Sequence, residues 1–303
     1  MRAGRRLRYT RGVRRFLVAA AIAALCLVPG ASGSGRGLVY GVTLDDDAGI
    51  SAPRLAAQTQ ALAALPSRPM ARVVADIGTT PADFARSLPA VHREADVILE
   101  LGDSSEVRRV SLPAYSAWVR SLTARYAQDV GVWEIGNEVN GEWVGSPAAE
   151  MARVDAAAQA VHAIGGRTML TLYYNPDCWQ KPQNELFTWL AAGHVPAALA
   201  RTLDYVTISY YPGDCNGYWP SAAGWQSVFD RLHARFPDAS LGFGESGTSC
   251  TCLDVGQRLT LWQRYRAVRV TGDRYVGLGL WWTWAEDGVP TGGPFWRGFA
   301  RTL

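Results

Sequence analysis

An eight-stranded parallel α/β barrel is the fold class the sequence predicts, on three observations. Short apolar, β-type runs alternate with helix-type segments throughout the chain after its first thirty or so residues, the pattern of repeated β-α units. Eight such runs can be placed, the number that closes a (β/α)8 TIM barrel. The roughly 270 residues that carry them have an even composition without a linker or low-complexity stretch, close to the usual size of that fold.

The expected strands cover residues 38–43, 71–76, 96–101, 131–135, 168–173, 205–210, 240–244 and 277–282. Several are unbroken apolar runs, such as Val97-Ile98-Leu99 and Tyr205-Val206-Thr207-Ile208, as strands buried on both faces must be. Among the helices, the clearest opens with Ser146 as N-cap and Pro147 at the first helical position, runs through an Ala-rich stretch and stops at Gly165-Gly166. Only residues 286–303 follow the eighth strand, so the last helix is expected to be short or absent.

Residues 1–33 read as an export signal, leaving 34–303 as one catalytic-sized domain. Seven arginines between Arg2 and Arg15 precede an apolar run from Phe16 to Val28, followed by Pro29, Gly30 and small residues. That run has about 13 residues, against the roughly 20 a helix needs to cross a bilayer, so no permanent membrane span is expected. Arg14-Arg15 fits twin-arginine export and the general route alike. A secreted protein, extracellular or periplasmic, is the expectation. Without these arginines the formal charge of +3 becomes about −4, so the basic balance belongs to the signal. A mildly acidic domain without a basic stripe offers no footprint for nucleic acid.

Four further cysteines, Cys178, Cys215, Cys250 and Cys252, match no zinc spacing and in an exported chain favour disulfides. Three pairings are open. A Cys250–Cys252 ring would be tight, which favours bridges that tie different loops together.

The chemistry is expected at two glutamates. Glu138, in Trp133-Glu134-Ile135-Gly136-Asn137-Glu138, falls just past the fourth run, and Glu245, in Gly242-Phe243-Gly244-Glu245, just past the seventh. In a parallel barrel all strand ends gather at one face, so these carboxyls, far apart in sequence, can oppose each other across one cleft. Opposed carboxylates in a cleft are the machinery of glycoside hydrolysis.

At these positions the chain resembles clan A of the retaining glycosidases, (β/α)8 barrels with an Asn-Glu acid/base after strand four and a nucleophilic Glu after strand seven. The resemblance covers the 34–303 segment in architecture and a handful of positions in sequence. It implies Glu138 as general acid/base, Asn137 as donor to a sugar 2-hydroxyl and Glu245 as nucleophile, with the carboxyls roughly 5 to 5.5 Å apart. Ile208-Ser209-Tyr210-Tyr211-Pro212 and Gly136-Asn137-Glu138 resemble the endo-β-1,4-galactanase family of that clan. Many clan members have an aromatic before the Asn and a Pro after the Glu, where this chain has Gly136 and Val139. The resemblance also implies a tryptophan of the eighth strand as floor of the reacting subsite: Trp282, with Trp284 second.

Glu138 must hold its proton near neutral pH, whereas Glu245 must be ionised and needs donors, for which Arg72 and Tyr211 are the candidates, Tyr210 competing with Tyr211. Glu134 reads as a support deep in the barrel or an ion-pair partner. Trp143, Trp179, Trp219 and Trp225 could stack on sugars or simply pack. Asp45, Asp46 and Asp47 form an acidic run after the first strand. His92, His162, His194 and His233 fall in helix-like or loop segments and suggest no metal site. No serine-hydrolase elbow, phosphate loop or zinc-protease helix is present.

The sequence therefore predicts a secreted, monomeric, cofactor-free glycosidase whose partner is a poly- or oligosaccharide. The same residues admit a barrel that binds carbohydrate without cleaving it, or a cell-envelope transglycosylase.

Overall fold

The computed structural model describes residues 38–44, 48–248, 250 and 252–303. The expected export segment and Asp45 to Asp47 lie outside the described residues. Eight strands form a closed barrel in sequence order, every pair parallel: β1 (Val39–Leu44), β2 (Met70–Ala75), β3 (Asp96–Leu101), β4 (Val132–Gly136), β5 (Arg167–Tyr173), β6 (Tyr205–Tyr210), β7 (Ser240–Ser246) and β8 (Tyr275–Trp281).

Helices interleave with the strands: α1 (Ala52–Ala63), α2 (Ser87–Glu94), α3 (Leu112–Tyr126), α4 (Pro147–Ala163), α5 (Leu186–Ala191), α6 (Ala197–Ala200), α7 (Ala222–Arg235), α8 (Val255–Ala267), α9 (Trp284–Asp287) and α10 (Pro294–Ala300). The Ser146 hydroxyl accepts from the Ala149 N–H at the start of α4, the cap its sequence announces. The closing helix α10 has seven residues, short as expected.

Side chains alternate across each strand, and the two faces pack into two cores. The inner face contributes Met70, Ile98, Val132, Met169, Leu278 and Leu280, an apolar layer inside the barrel. The outer face contributes residues such as Val73, Leu99, Ile135 and Leu172 to a much larger shell shared with the helices. Among the described residues, no helix is long and apolar enough to cross a membrane.

One strand end departs from the expectation. β7 runs to Ser246, so Glu245 lies within the strand rather than beyond it. Ile208 pairs with Phe243 but Ser209 with Glu245, leaving Gly244 as an extra residue, a bulge beside the site. A Cβ on Gly244 would sit 2.3 Å from Thr207 Oγ1 and 2.8 Å from Thr171 Oγ1, so only glycine fits there.

The cysteines also depart in part. Cys178–Cys215 ties the loop after β5 to the loop after β6, as a loop-tying bridge should. Cys250–Cys252 does close the short ring within the loop after β7, against the expectation. The chain there brings the two Cα atoms to 5.2 Å, inside the ordinary reach of a disulfide.

Candidate active site

The ends of β3, β4, β5, β6, β7 and β8 enclose a cavity of about 290 Å³ lined by Asp103, Asn137, Glu138, Trp143, Tyr173, Tyr211, Asp214, Glu245 and Trp282. Both candidate catalytic carboxyls thus open into one space at the C-terminal face of the strands, where barrel enzymes place their chemistry.

Three donors converge on Glu245, which is 4% exposed. Arg72 Nη2 reaches Oε1 at 2.8 Å, while Ser209 Oγ at 2.9 Å and Tyr211 Oη at 2.6 Å both donate to Oε2. Burial, followed by the facing Glu245 charge, raises the Tyr211 phenol well above its ordinary range, so it remains a donor.

Glu138 is 9% exposed and has a poorer environment. Ser104 Oγ reaches its Oε2 only at a long 3.3 Å, and the Ser209 hydroxyl that donates to Glu245 also stands beside it. Burial and then the negative charge of Glu245 push its pKa well above the usual carboxylate range, against weaker opposition from Ser209 and Arg72. The backbone at Glu138 is left-handed, φ +48°, a conformation that costs a non-glycine residue on the order of 1–3 kcal/mol. The following segment holds it there: Gly141 N–H donates to the Glu138 carbonyl at 2.6 Å. Asn140 bridges to β5, donating to the Tyr173 carbonyl at 2.9 Å and accepting from the Tyr173 N–H at 2.7 Å.

Asn137 is 3% exposed, and its Oδ1 has no hydrogen-bond partner. A buried acceptor left unpaired costs on the order of 1–3 kcal/mol, so this one is suited to a group that enters the cavity.

Beneath Glu245 the single guanidinium of Arg72 meets three carboxyls: Glu245, Glu134 with Nε–Oε2 2.5 Å, and Glu100 with Nη2–Oε2 2.8 Å. Glu134 is further held by the Thr171 hydroxyl. Glu100 has proximity without hydrogen-bond geometry, neither of its oxygens gaining a hydrogen-bond partner among the described residues. Burial outweighs the pull of Arg72 and raises the Glu100 pKa well above the ordinary range. Glu100 is thus the least well satisfied carboxyl of the cluster, while Glu134 and Glu245 hydrogen-bond the guanidinium.

Of the aromatic candidates, Trp282 lines the cavity with its ring 5.4 Å from Arg72 Cζ, whereas Trp284 is fully buried in the outer core and does not reach it. Trp143 crosses the backbone of Gly141, where a Cβ would lie 2.6 Å from its ring, and donates to Ser104 Oγ at 2.9 Å. Trp179 packs edge-on to Tyr173 at 5.5 Å. Trp219 and Trp225 belong to an aromatic cluster with Tyr210 and stay outside the cavity. No histidine among the described residues lines it. Among the described residues no group of three His, Cys, Asp or Glu side chains is placed to hold a metal ion.

The sequence reading passed over Glu100, Asp103, Ser104, Asn140, Tyr173 and Asp214. One signal was available: Glu100 is a lone charge inside the apolar run Val97-Ile98-Leu99-Glu100-Leu101. A charge in a strand buried on both faces must have a partner inside.

No protein-family model matches the sequence, and a search of curated proteins finds no significant match. Solved structures do match. A GH5_18 protein from Bifidobacterium longum subsp. longum superposes with TM-score 0.55 at 12% identity, covering 88% of this chain and 78% of that one. The likeness is one of fold. A GH30 endoxylanase from Clostridium papyrosolvens gives TM-score 0.52 at 13% identity over 88% of this chain and 71% of its own. An endo-β-1,3-glucanase of GH128 from Amycolatopsis mediterranei, in complex with laminaritriose, gives 0.49 at 15% identity over 88% and 100%. The closed eight-stranded barrel is thus a fold this chain shares with glycoside hydrolases.

Proposed function

We propose that the protein is an exported glycoside hydrolase that cleaves a poly- or oligosaccharide with retention of anomeric configuration. One observation carries the reading: two buried carboxyls share a cavity with unlike surroundings, Glu245 collecting three close donors, Arg72 among them, and Glu138 a long hydrogen bond from Ser104 beside the shared Ser209. That contrast suits a nucleophile and a general acid.

In the first step a Glu245 oxygen attacks the anomeric carbon while Glu138 passes its proton to the glycosidic oxygen. The carbon–oxygen bond breaks, and the leaving sugar departs as an alcohol. In the second, Glu138, now a carboxylate, takes a proton from water, whose oxygen displaces Glu245 and releases the sugar hemiacetal. Asn137 meets the 2-hydroxyl of the reacting sugar and Trp282 lies under its ring, with Arg72 and Tyr211 holding Glu245. Export rests on the arginine-rich leader of residues 1–33, with the two disulfides in support.

The test is turnover of an aryl glycoside or glycan by the purified Glu245→Gln and Glu138→Gln variants. Loss of about 10²–10⁴-fold or more is expected in each, the range a positioned acid, base or nucleophile supplies. Full residual activity in either variant would defeat the assignment.

A further inference from the structure

We infer that the substrate is a glycan free of acidic groups, uncharged or amino-bearing, and that Asp103 and Asp214 enforce this by repelling uronate and sulfate. The inference rests on the glycosidase reading and adds the substrate's charge class to it.

Four of the nine residues lining the cavity are acidic: Asp103 on the loop after β3, Glu138 after β4, Asp214 on the loop after β6 and Glu245 in β7. Among the described residues no lysine or arginine lines it. Arg72, beneath Glu245, is fully buried and paired with Glu100, Glu134 and Glu245, so its charge is already matched by carboxyls.

The carboxylates at the rim are also fixed. Tyr173 Oη donates to Asp214 Oδ2 at 2.9 Å, and Asp103 Oδ1 accepts the Ser105 N–H at 2.7 Å. The unpaired Asn137 Oδ1, 3% exposed, adds another acceptor. A cavity furnished in this way asks its ligand for hydroxyl or ammonium donors. An anion entering the cavity meets like charge at Asp103 and Asp214, which disfavours it relative to a neutral group. The aromatic walls, Trp143, Tyr173, Tyr211 and Trp282, suit the C–H faces of sugar rings and carry no charge of their own.

The experiment compares matched pairs on the full exported chain: laminarin, β-1,4-mannan and β-1,4-galactan oligosaccharides, and each with its C6 hydroxyls oxidised to carboxylates. Binding is read by calorimetry and turnover by reducing ends. Each neutral oligosaccharide that binds is expected to bind at least about tenfold more tightly than its carboxylated partner, a difference of about 1.4 kcal/mol. In the Asp103→Asn/Asp214→Asn double variant, whose folding a thermal melt checks, the gap should close to within about threefold.

Equal or tighter binding of a carboxylated member would overturn the inference, as would absence of binding by every neutral one. A gap unchanged in the double variant would remove Asp103 and Asp214 as its cause and overturn it too. Charge-selective binding with no turnover of any glycan would sink the hydrolytic reading alone and leave the charge preference standing.

Discussion

Two layers inside the same barrel, a single side-chain repeat apart, have opposite physical characters. Met70, Ile98, Val132 and Met169 form part of the inner apolar layer. Two residues further along the same four strands stand Arg72, Glu100, Glu134 and Thr171, all buried. The lower layer needs only volume and shape, because dispersion and burial hold it. The upper one removes one guanidinium and several carboxyls from water, an arrangement that costs stability unless each charge finds a partner. The strands thus carry an apolar floor, and directly on it a charged platform on which Glu245 rests. What differs between a structural and a functional layer is which residue type occupies the inward position, not the backbone.

The comparison breaks most visibly at Arg72. Arg72→Met leaves Glu134 and Glu245 without their cation, and a loss of about 3–5 kcal/mol in chemical denaturation is expected along with glycosidase activity. One layer down, Ile98→Ala should cost a similar 2–5 kcal/mol, or roughly that, through the cavity it opens, yet leave kcat within a few-fold at temperatures where the variant is folded. Comparable losses of kcat in both variants would erase the distinction between the layers.

A smaller effect is expected where the platform meets the cavity. Tyr211→Phe removes one hydrogen bond to Glu245, so kcat/KM should fall by about 10- to 150-fold and chemical denaturation should show a loss of up to about 1.5–3 kcal/mol, smaller than that of Arg72→Met. Glu100→Gln should have the smallest effect on activity and a distinctive one on stability. The folded-state pKa of Glu100 is raised above its ordinary 4.5, so across the pH range above that value the folded protein binds the proton that the unfolded chain has lost. Stability contributed by this group is fully present below about pH 4.5 and declines as pH rises towards the folded-state pKa. Glutamine does not titrate, so the variant and wild type should match within about 1 kcal/mol at pH 4, the variant becoming the more stable by pH 7. Urea titrations at the two pH values check the crossover, and a variant that is less stable at pH 7 would show Glu100 to be an ionised partner of Arg72.

The barrel was legible because doubly buried strands are apolar runs, and all eight stand where those runs are, with every end within about two residues of its expected place. The end of β7 was not, since Glu245-Ser246 continues the strand without an apolar signal. Of the loop tryptophans, Trp143 and Trp225 read alike in the sequence; their separation into cavity wall and core is decided by packing that a single sequence does not encode locally. The Cys250–Cys252 bridge depended on a local backbone path, and so did the left-handed turn that aims Glu138. Glu134 was noticed because it neighbours Glu138, whereas Glu100 passed unremarked inside an apolar run although the same reasoning about buried charge applies to both.

The central claim is that Glu245 bonds covalently to the sugar while Glu138 manages the proton. Incubation with a panel of 2-deoxy-2-fluoro glycosides bearing an activated leaving group, followed by peptide mass mapping, reads it directly. The account predicts time-dependent inactivation with one fluoro-sugar on the peptide that contains Glu245. A label on Glu138 or on any other residue, or steady turnover of the fluoro-sugar with no labelled peptide at all, would contradict it.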